Sequence, residues 1–169
     1  MTENSNGITT ELVKQLRDKT GISVMQCKKA LEETLGDMDK AVALLAERSA
    51  AIADKKGERA LNAGIVSTYV HATGTVGTMV ELLCETDFVA KNEEFKALAR
   101  DIAMHITAAN PLFLKSDEAG ADAMPEGVLL NQPFIKNPEV TITNLVQSAV
   151  QKFGENIEIS RFVRYSVSQ

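Results

Sequence analysis

The sequence has no tryptophan and only two cysteines and two histidines among its 169 residues. Cys27 and Cys84 each lie inside an apolar pattern, in segments that belong to separate modules, so we expect buried, reduced thiols rather than a disulfide. With His71 and His105 as the only histidines, the sequence contains no cluster of metal ligands. We therefore expect no disulfide and no metal or other cofactor.

Long hydrophobic runs and nucleotide-binding motifs are missing as well. No uninterrupted apolar run reaches membrane-spanning length, and residues 1–6 have neither the basic start nor the apolar core of a signal peptide. Neither GxxxxGK[ST] nor GxGxxG occurs, so we do not expect the chain itself to bind a nucleotide. The net charge of −5 argues against phosphate neutralisation on nucleic acids. These absences predict a cytoplasmic protein without membrane or direct nucleic-acid partners.

What remains is a globular composition, with 44% hydrophobic and 24% charged residues. In the first 50 residues, Thr9, Ser23 and Asp37 each precede a short segment with apolar residues at helical spacing, which predicts three capped helices. We expect residues 1–50 to form a compact three-helix bundle. Small and charged residues then predict a linker over 51–62.

Residues 63–169 predict a separate α+β core. Two β-rich segments, 64–72 and Val76–Cys84, flank a Thr-Gly turn and should pair as a hairpin. A helix follows Asn92, residues 112–131 are predicted to be a loop, and a second helix over 142–153 precedes a final strand. This order predicts a three-stranded antiparallel sheet with helices packed on one face.

A tight corner over residues 86–91 joins the second strand to the first core helix. It places an acid, Asp87, beside a large aromatic residue, Phe88. The pattern alone leaves two alternatives open for Phe88: the ring turns inward and packs beneath the helix, or the corner holds it outward.

The run Thr86-Asp87-Phe88-Val89-Ala90-Lys91-Asn92 resembles the signature of bacterial elongation factor Ts, the guanine-nucleotide exchange factor for elongation factor Tu. Further segments match in family order over nearly the whole chain, which makes chance a poor explanation. These segments are Thr20-Gly21, Met25-Gln26-Cys27-Lys28-Lys29-Ala30-Leu31, Ile102-Ala103-Met104-His105-Ile106, Asn110-Pro111, Gln132-Pro133-Phe134, Gly154-Glu155-Asn156-Ile157 and Arg161-Phe162.

The resemblance implies a partner and a mechanism. The chain would bind elongation factor Tu in its GDP-bound and nucleotide-free forms and promote GDP release, without covalent chemistry of its own. The corner residues Thr86, Asp87, Phe88 and Val89 would disturb the Mg²⁺ and phosphate site of elongation factor Tu, with Phe88 as the wedge. The bundle would be a docking module of the ubiquitin-associated type. Further partner contacts are implied at Thr20, Gly21, Met25 and His105.

This chain also departs from the longer members of the family. Those members carry a duplicated core and a helical insertion between the segments that match Asn110-Pro111 and Gln132-Pro133, where this chain has only a short segment. A three-stranded sheet leaves two open edges, so we expect a two-fold homodimer to replace the missing half. The alternative is that the segment 112–131 covers the exposed edge or face and keeps the chain monomeric.

Two other classes of function remain open from the residues. The first is an enzyme that pairs the Cys84 thiol with the imidazole of His71 or His105. The second is an adaptor whose helical bundle binds ubiquitin-like or peptide partners without exchange activity.

Overall fold

The structure, a computed structural model, describes residues 8–118 and 124–167. The stretch 1–6, on which the expectation about a signal peptide rests, lies outside the described residues. Residue 7, residues 119–123 of the predicted loop and residues 168–169 of the predicted core also lie outside the described residues.

The amino-terminal bundle consists of α1 (Thr10–Thr20), α2 (Val24–Glu33) and α3 (Met38–Lys56). Each helix begins where the sequence predicts, because the side chains of Thr9, Ser23 and Asp37 accept hydrogen bonds from the first-turn amides. The three helices share one buried apolar cluster: Ile8, Val13, Leu16, Ile22, Cys27, Ala30, Leu31, Ala41 and Leu45.

The predicted linker is wrong over its first half. Helix α3 continues to Lys56, so only residues 57–62 connect the bundle to the core without regular structure. Ile52 and Ala53 pack against the hydrophobic core of the second module. Burial of this apolar face, together with Lys55 and Lys56 at the negative end of the helix, outweighs the charged composition that suggested a break.

The core sheet contains β1 (Ala63–Val70), β2 (Val76–Cys84) and β5 (Ile157–Ser166) in the antiparallel order β1-β2-β5. The predicted hairpin is confirmed, with Ala63 opposite Cys84 in the register. Cys84 also lies opposite Ile157, so the end of the central strand is paired with a neighbouring strand on each side. The prediction of a three-stranded antiparallel sheet in an α+β core is therefore confirmed.

Helices cover one face of this sheet. They are α4 (Asp87–Ala90), α5 (Glu93–Ala109) and α6 (Ile142–Phe153). Phe95 and Phe153 meet edge to face between α5 and α6, with ring centroids 5.9 Å apart. The larger buried members of the core are Val80, Leu82, Phe95, Ile102, Ile106, Leu129, Ile142 and Val150.

The opposite side, which we call the outer sheet face, carries apolar residues that no described helix or strand covers. Strand alternation and register place Val66, Val70, Met79, Val163 and Tyr165 on this face, and they are between 39% and 74% exposed. A monomer of this chain thus leaves an apolar surface in water.

The segment after α5 has more structure than the predicted loop. Short 3-10 turns occur at Pro125–Gly127 and Leu129–Asn131, and β3 (Pro133–Phe134) pairs with β4 (Asn137–Thr141) in a second small sheet. Leu129 and Phe134 reach the main core, and Thr143 of α6 donates its hydroxyl to the Leu130 carbonyl. A two-residue strand is too short for side-chain alternation to reveal, which is why the prediction missed it.

Candidate functional site

The corner after β2 is a single helical turn held between two rigid elements. Thr86 caps α4, because its hydroxyl oxygen accepts from the Val89 amide at 3.5 Å. The Lys91 amide donates to the Asp87 carbonyl at 3.0 Å, and Asn92 then caps α5 through the Glu94 amide. The chain therefore passes from strand to helix within seven residues, 86–92, whose backbone is held by these hydrogen bonds.

This turn directs its side chains to opposite sides. Phe88 is 83% exposed, whereas Val89 is 3% exposed and lies in the core cluster. The inward alternative for Phe88 is therefore wrong, and the outward alternative is confirmed. The Val89 side chain is enclosed beneath the corner and anchors it there, and a partner contact at this residue stays a prediction.

Asp87 is exposed beside Phe88 and forms a surface ion pair with Lys91, with 3.4 Å between the carboxylate and the ammonium group. The pair follows i,i+4 spacing along the helix and is solvated on both sides, so its contribution to stability is small. An acid in the first turn also favours the positive end of the helix.

A second group of residues, which sequence reasoning did not assign, holds the entry to the corner. The Glu155 carboxylate accepts hydrogen bonds from the amides of Glu85 and Thr86, at 3.1 and 3.0 Å, and from the Thr86 hydroxyl. In return the Glu85 carboxylate accepts from the Asn156 amide. The family match at Gly154-Glu155-Asn156-Ile157 was the available signal, but it gave no role.

The predicted contacts on the bundle lie together at the turn between α1 and α2. The Thr20 hydroxyl donates to the Leu16 carbonyl at 2.7 Å, and Gly21 adopts the left-handed conformation (φ 69°) that ends α1. Met25, in the first turn of α2, is 70% exposed beside exposed Val24. Of these side chains, Met25 offers the largest apolar surface to a partner.

His105 lies elsewhere, on α5, where its side chain is buried, and the partner contact expected at this residue stays a prediction. The Ile135 amide donates to Nδ1 at 3.3 Å, which leaves the proton on Nε2 to donate to the Gln132 side-chain oxygen at 2.9 Å. Burial lowers the pKa of His105 below its usual 6.5. A neutral His105 thus joins α5 to the β3 segment.

The Cys84 thiol pairs with neither imidazole of the enzyme alternative. Its Sγ donates to the Thr86 carbonyl, and His105 is bonded to Ile135 and Gln132. Cys84 pairs with Ala63 at one end of the hairpin, whereas His71 lies beyond Val70 at the other end, about 25 Å away at the rise of a β-strand. Burial raises the pKa of the Cys84 thiol, which disfavours the thiolate.

Two further observations concern sites and location. Within residues 8–118 and 124–167, no group of histidine, cysteine, aspartate and glutamate side chains could hold a metal ion. Among the helices of the same described part, none is both long and apolar enough to cross a membrane.

Comparison with known proteins identifies the family. A family profile described as Elongation factor TS matches residues 6–126. The chain belongs to the elongation factor Ts family. Its relatives include Elongation factor Ts of Heliobacterium modesticaldum, 43% identical over 96% of this chain and 91% of the relative. Those of Carboxydothermus hydrogenoformans (41%; 96% and 90%) and Desulfotalea psychrophila (42%; 95% and 98%) are similarly close.

The family match includes the corner and the bundle, since both lie within residues 6–126. The alignment with the Heliobacterium modesticaldum relative extends over 195 positions, whereas this chain has 169 residues, so that elongation factor Ts has residues without a counterpart here. This difference agrees with the prediction of a short form.

Proposed function

We propose that this chain binds elongation factor Tu carrying GDP and promotes release of the GDP, so that GTP can bind. The observation that supports this proposal most strongly is the presentation of Phe88, an aromatic side chain 83% exposed on a corner whose neighbouring residues are fixed. A large ring held out in water gains most when a partner removes it from solvent. In a pocket near the Mg²⁺ and phosphate site, it would act as a wedge.

The physical basis is the mutual attraction of Mg²⁺ and the GDP phosphates. Displacing the groups of elongation factor Tu that position the metal therefore weakens the binding of both Mg²⁺ and GDP. A factor that binds empty elongation factor Tu more tightly than the GDP-bound form must weaken GDP binding by the same coupling free energy. On this proposal the chain is not an enzyme, because exchange requires no covalent step, and it acts in the cytoplasm, where translation elongation takes place.

Thr86 and Asp87 complete the contact around Phe88. Exposed Asp87 would repel the phosphates or attract a cation of the partner, whereas the Val89 and His105 side chains act only through the fold. We further propose that the bundle is a docking module of the ubiquitin-associated type, with Met25 and the Thr20-Gly21 turn as its contact surface. Exposed Met25 at the end of this turn supports that assignment.

A second copy of the chain is the other partner that we propose. Among the described residues, the segment 112–118 with 124–134 packs toward α6 and His105 and reaches β5 through the Lys115–Glu158 pair. The five apolar residues of the outer sheet face stay exposed. Two copies related by a two-fold axis could bury both outer faces at once. The dimer therefore remains our proposal over the monomer.

The test of exchange is release of fluorescent GDP from elongation factor Tu with excess unlabelled GDP and substoichiometric chain. We expect each molecule of the chain to accelerate release from many molecules of elongation factor Tu. The adaptor alternative predicts binding without acceleration. An unchanged release rate at a concentration that saturates binding would overturn the proposal.

A further inference from the structure

We propose that Glu155 is a positioning residue that fixes the orientation of the corner and thereby of Phe88. This inference rests on the proposed role of Phe88 in exchange. It concerns a residue 67 positions away in the chain, in the turn between α6 and β5.

The carboxylate of Glu155 satisfies three donors at the entry to the corner. Oε2 accepts from the amides of Glu85 and Thr86, and Oε1 accepts from the Thr86 hydroxyl at 2.5 Å. These donors follow Cys84, the last residue of β2, and precede the first turn of α4. Because the hydroxyl donates to Glu155, its oxygen is oriented to accept from the Val89 amide.

The turn that carries Glu155 is in turn held by bonds from the segments around Glu85 and Arg59. The Glu85 carboxylate accepts from the Asn156 amide and lies 3.3 Å from the Arg59 guanidinium, and the Asn156 bond holds the pKa of Glu85 below its usual range. The buried side-chain amide of Asn156 donates to the backbone carbonyls of Gly57 and Arg59 at 3.4 and 3.2 Å. Each glutamate thus accepts hydrogen bonds from the backbone of the segment that carries the other.

This arrangement decides how Phe88 is presented. Helix α4 has only four residues, and a helix of one turn is unstable without outside support. The exposed ring gains little orientation from packing, so its direction depends on the backbone that Glu155 holds. A looser corner would have to be ordered when the partner binds, and this cost would reduce the stabilisation of the nucleotide-free complex.

Because the chain has no tryptophan, an introduced tryptophan can measure the mobility of the corner directly. Phe88→Trp introduces a single tryptophan, which can be excited selectively over the two tyrosines, and its anisotropy decay reports local motion of the corner. We expect Glu155→Ala, added to Phe88→Trp, to increase the amplitude of the fast depolarisation. In the chain with Phe88, Glu155→Ala should slow stimulated GDP release about tenfold, because ordering the looser corner on binding costs free energy.

Conservative variants separate positioning from general stability. The Gln side chain retains an oxygen for the two amides and an N–H for the Thr86 hydroxyl oxygen, so Glu155→Gln should restore low mobility and nearly full exchange. Glu155→Asp keeps the charge but withdraws the oxygens by about 1.5 Å, one bond length, and should resemble Glu155→Ala. Glu158→Ala is the matched control, because Glu158 pairs with Lys115 at 2.6 Å, outside the corner. It should leave corner mobility and GDP release unchanged.

The outcomes are separable from those for the exchange function. Unchanged anisotropy in both Glu155→Ala and Glu155→Asp would overturn the positioning role, even if the melting temperature falls. Increased mobility with unchanged GDP release would also overturn it, provided that Phe88→Ala slows release. If Phe88→Ala leaves release unchanged, the proposed function fails, while the anisotropy comparison still decides whether Glu155 fixes the corner. Should Glu155→Ala not fold, Glu155→Asp and Glu155→Gln supply the same comparison.

Discussion

Phe88 and Val89 are neighbours in the chain, yet Phe88 is 83% exposed and Val89 is 3% exposed. In a helix of 3.6 residues per turn, successive side chains point about 100° apart, so one turn separates them onto different surfaces. The core holds the corner through Val89, and the corner presents Phe88 outward. Contact and support are therefore assigned to different residues of the same turn, and substitutions can test each one alone.

The first prediction concerns this pair. Phe88→Ala should leave the free energy of unfolding nearly unchanged and should slow stimulated GDP release, because the ring lies outside the core. Val89→Ala should instead lower stability by roughly 1.6 kcal/mol, because it removes two buried methyl-sized groups at about 0.8 kcal/mol each. Urea titration and stopped-flow GDP release measure the two effects. A loss of about 3 to 5 kcal/mol in Phe88→Ala would mean that the ring is core after all.

The second prediction concerns the capping of α4. Thr86→Ala should cost about 1 kcal/mol of stability, because the Thr86 hydroxyl caps the first turn. Asp87→Ala should cost less than about 0.5 kcal/mol, because its ion pair with Lys91 is exposed. Thermal unfolding of both variants under identical conditions provides the comparison, and the reverse order would assign the cap to Asp87.

The third prediction concerns the bundle as a docking module. Met25→Ala should weaken binding to elongation factor Tu about tenfold without changing the melting temperature, since Met25 is 70% exposed. Leu35→Ala is the control: Leu35 is 83% exposed, but it lies beyond the opposite end of α2. Isothermal titration calorimetry measures both. Equal affinities for the two variants would place the docking surface elsewhere.

The fourth prediction concerns pH. Burial lowers the pKa of His105 from 6.5, so the unfolded chain binds this proton more readily than the folded chain. The stabilisation is complete above the unfolded value and is lost as the pH falls below about 6.5, by up to about 1.4 kcal/mol per pH unit. His105→Gln should flatten this slope. Urea titrations from pH 5 to 8 test it, and parallel slopes for the two proteins would contradict the assignment.

The fifth prediction concerns assembly. Met79 lies on the central strand of the outer sheet face, opposite Thr68 and Val163. Met79→Glu should convert the proposed dimer to a monomer, because burying an unpaired carboxylate is costly. Leu112→Glu should not, since exposed Leu112 lies outside the three-stranded sheet. Sedimentation equilibrium with and without elongation factor Tu measures both, and a monomeric mass for the unmodified chain throughout would end the proposal.

The sequence by itself determined the features that depend on nearby residues. Thr9, Ser23 and Asn92 cap helices because each side chain reaches an amide within three residues. The spacing of apolar residues predicted α6, and the turn at Gly74 predicted the hairpin of β1 and β2. The residue pattern left the direction of Phe88 open, and the family resemblance implied that the ring faces outward as a wedge.

Only the tertiary structure decided the features that depend on contacts between distant segments. Helix α3 continues to Lys56 because Ile52 and Ala53 pack against the core of the second module. The enclosure of Val89 and His105 also comes from packing, which places both side chains inside the fold. Glu155 and Thr86 are 69 residues apart, and their hydrogen bonds form because β5 pairs with β2. Local propensity cannot encode such a contact, since it exists only after the chain has brought the two strands together.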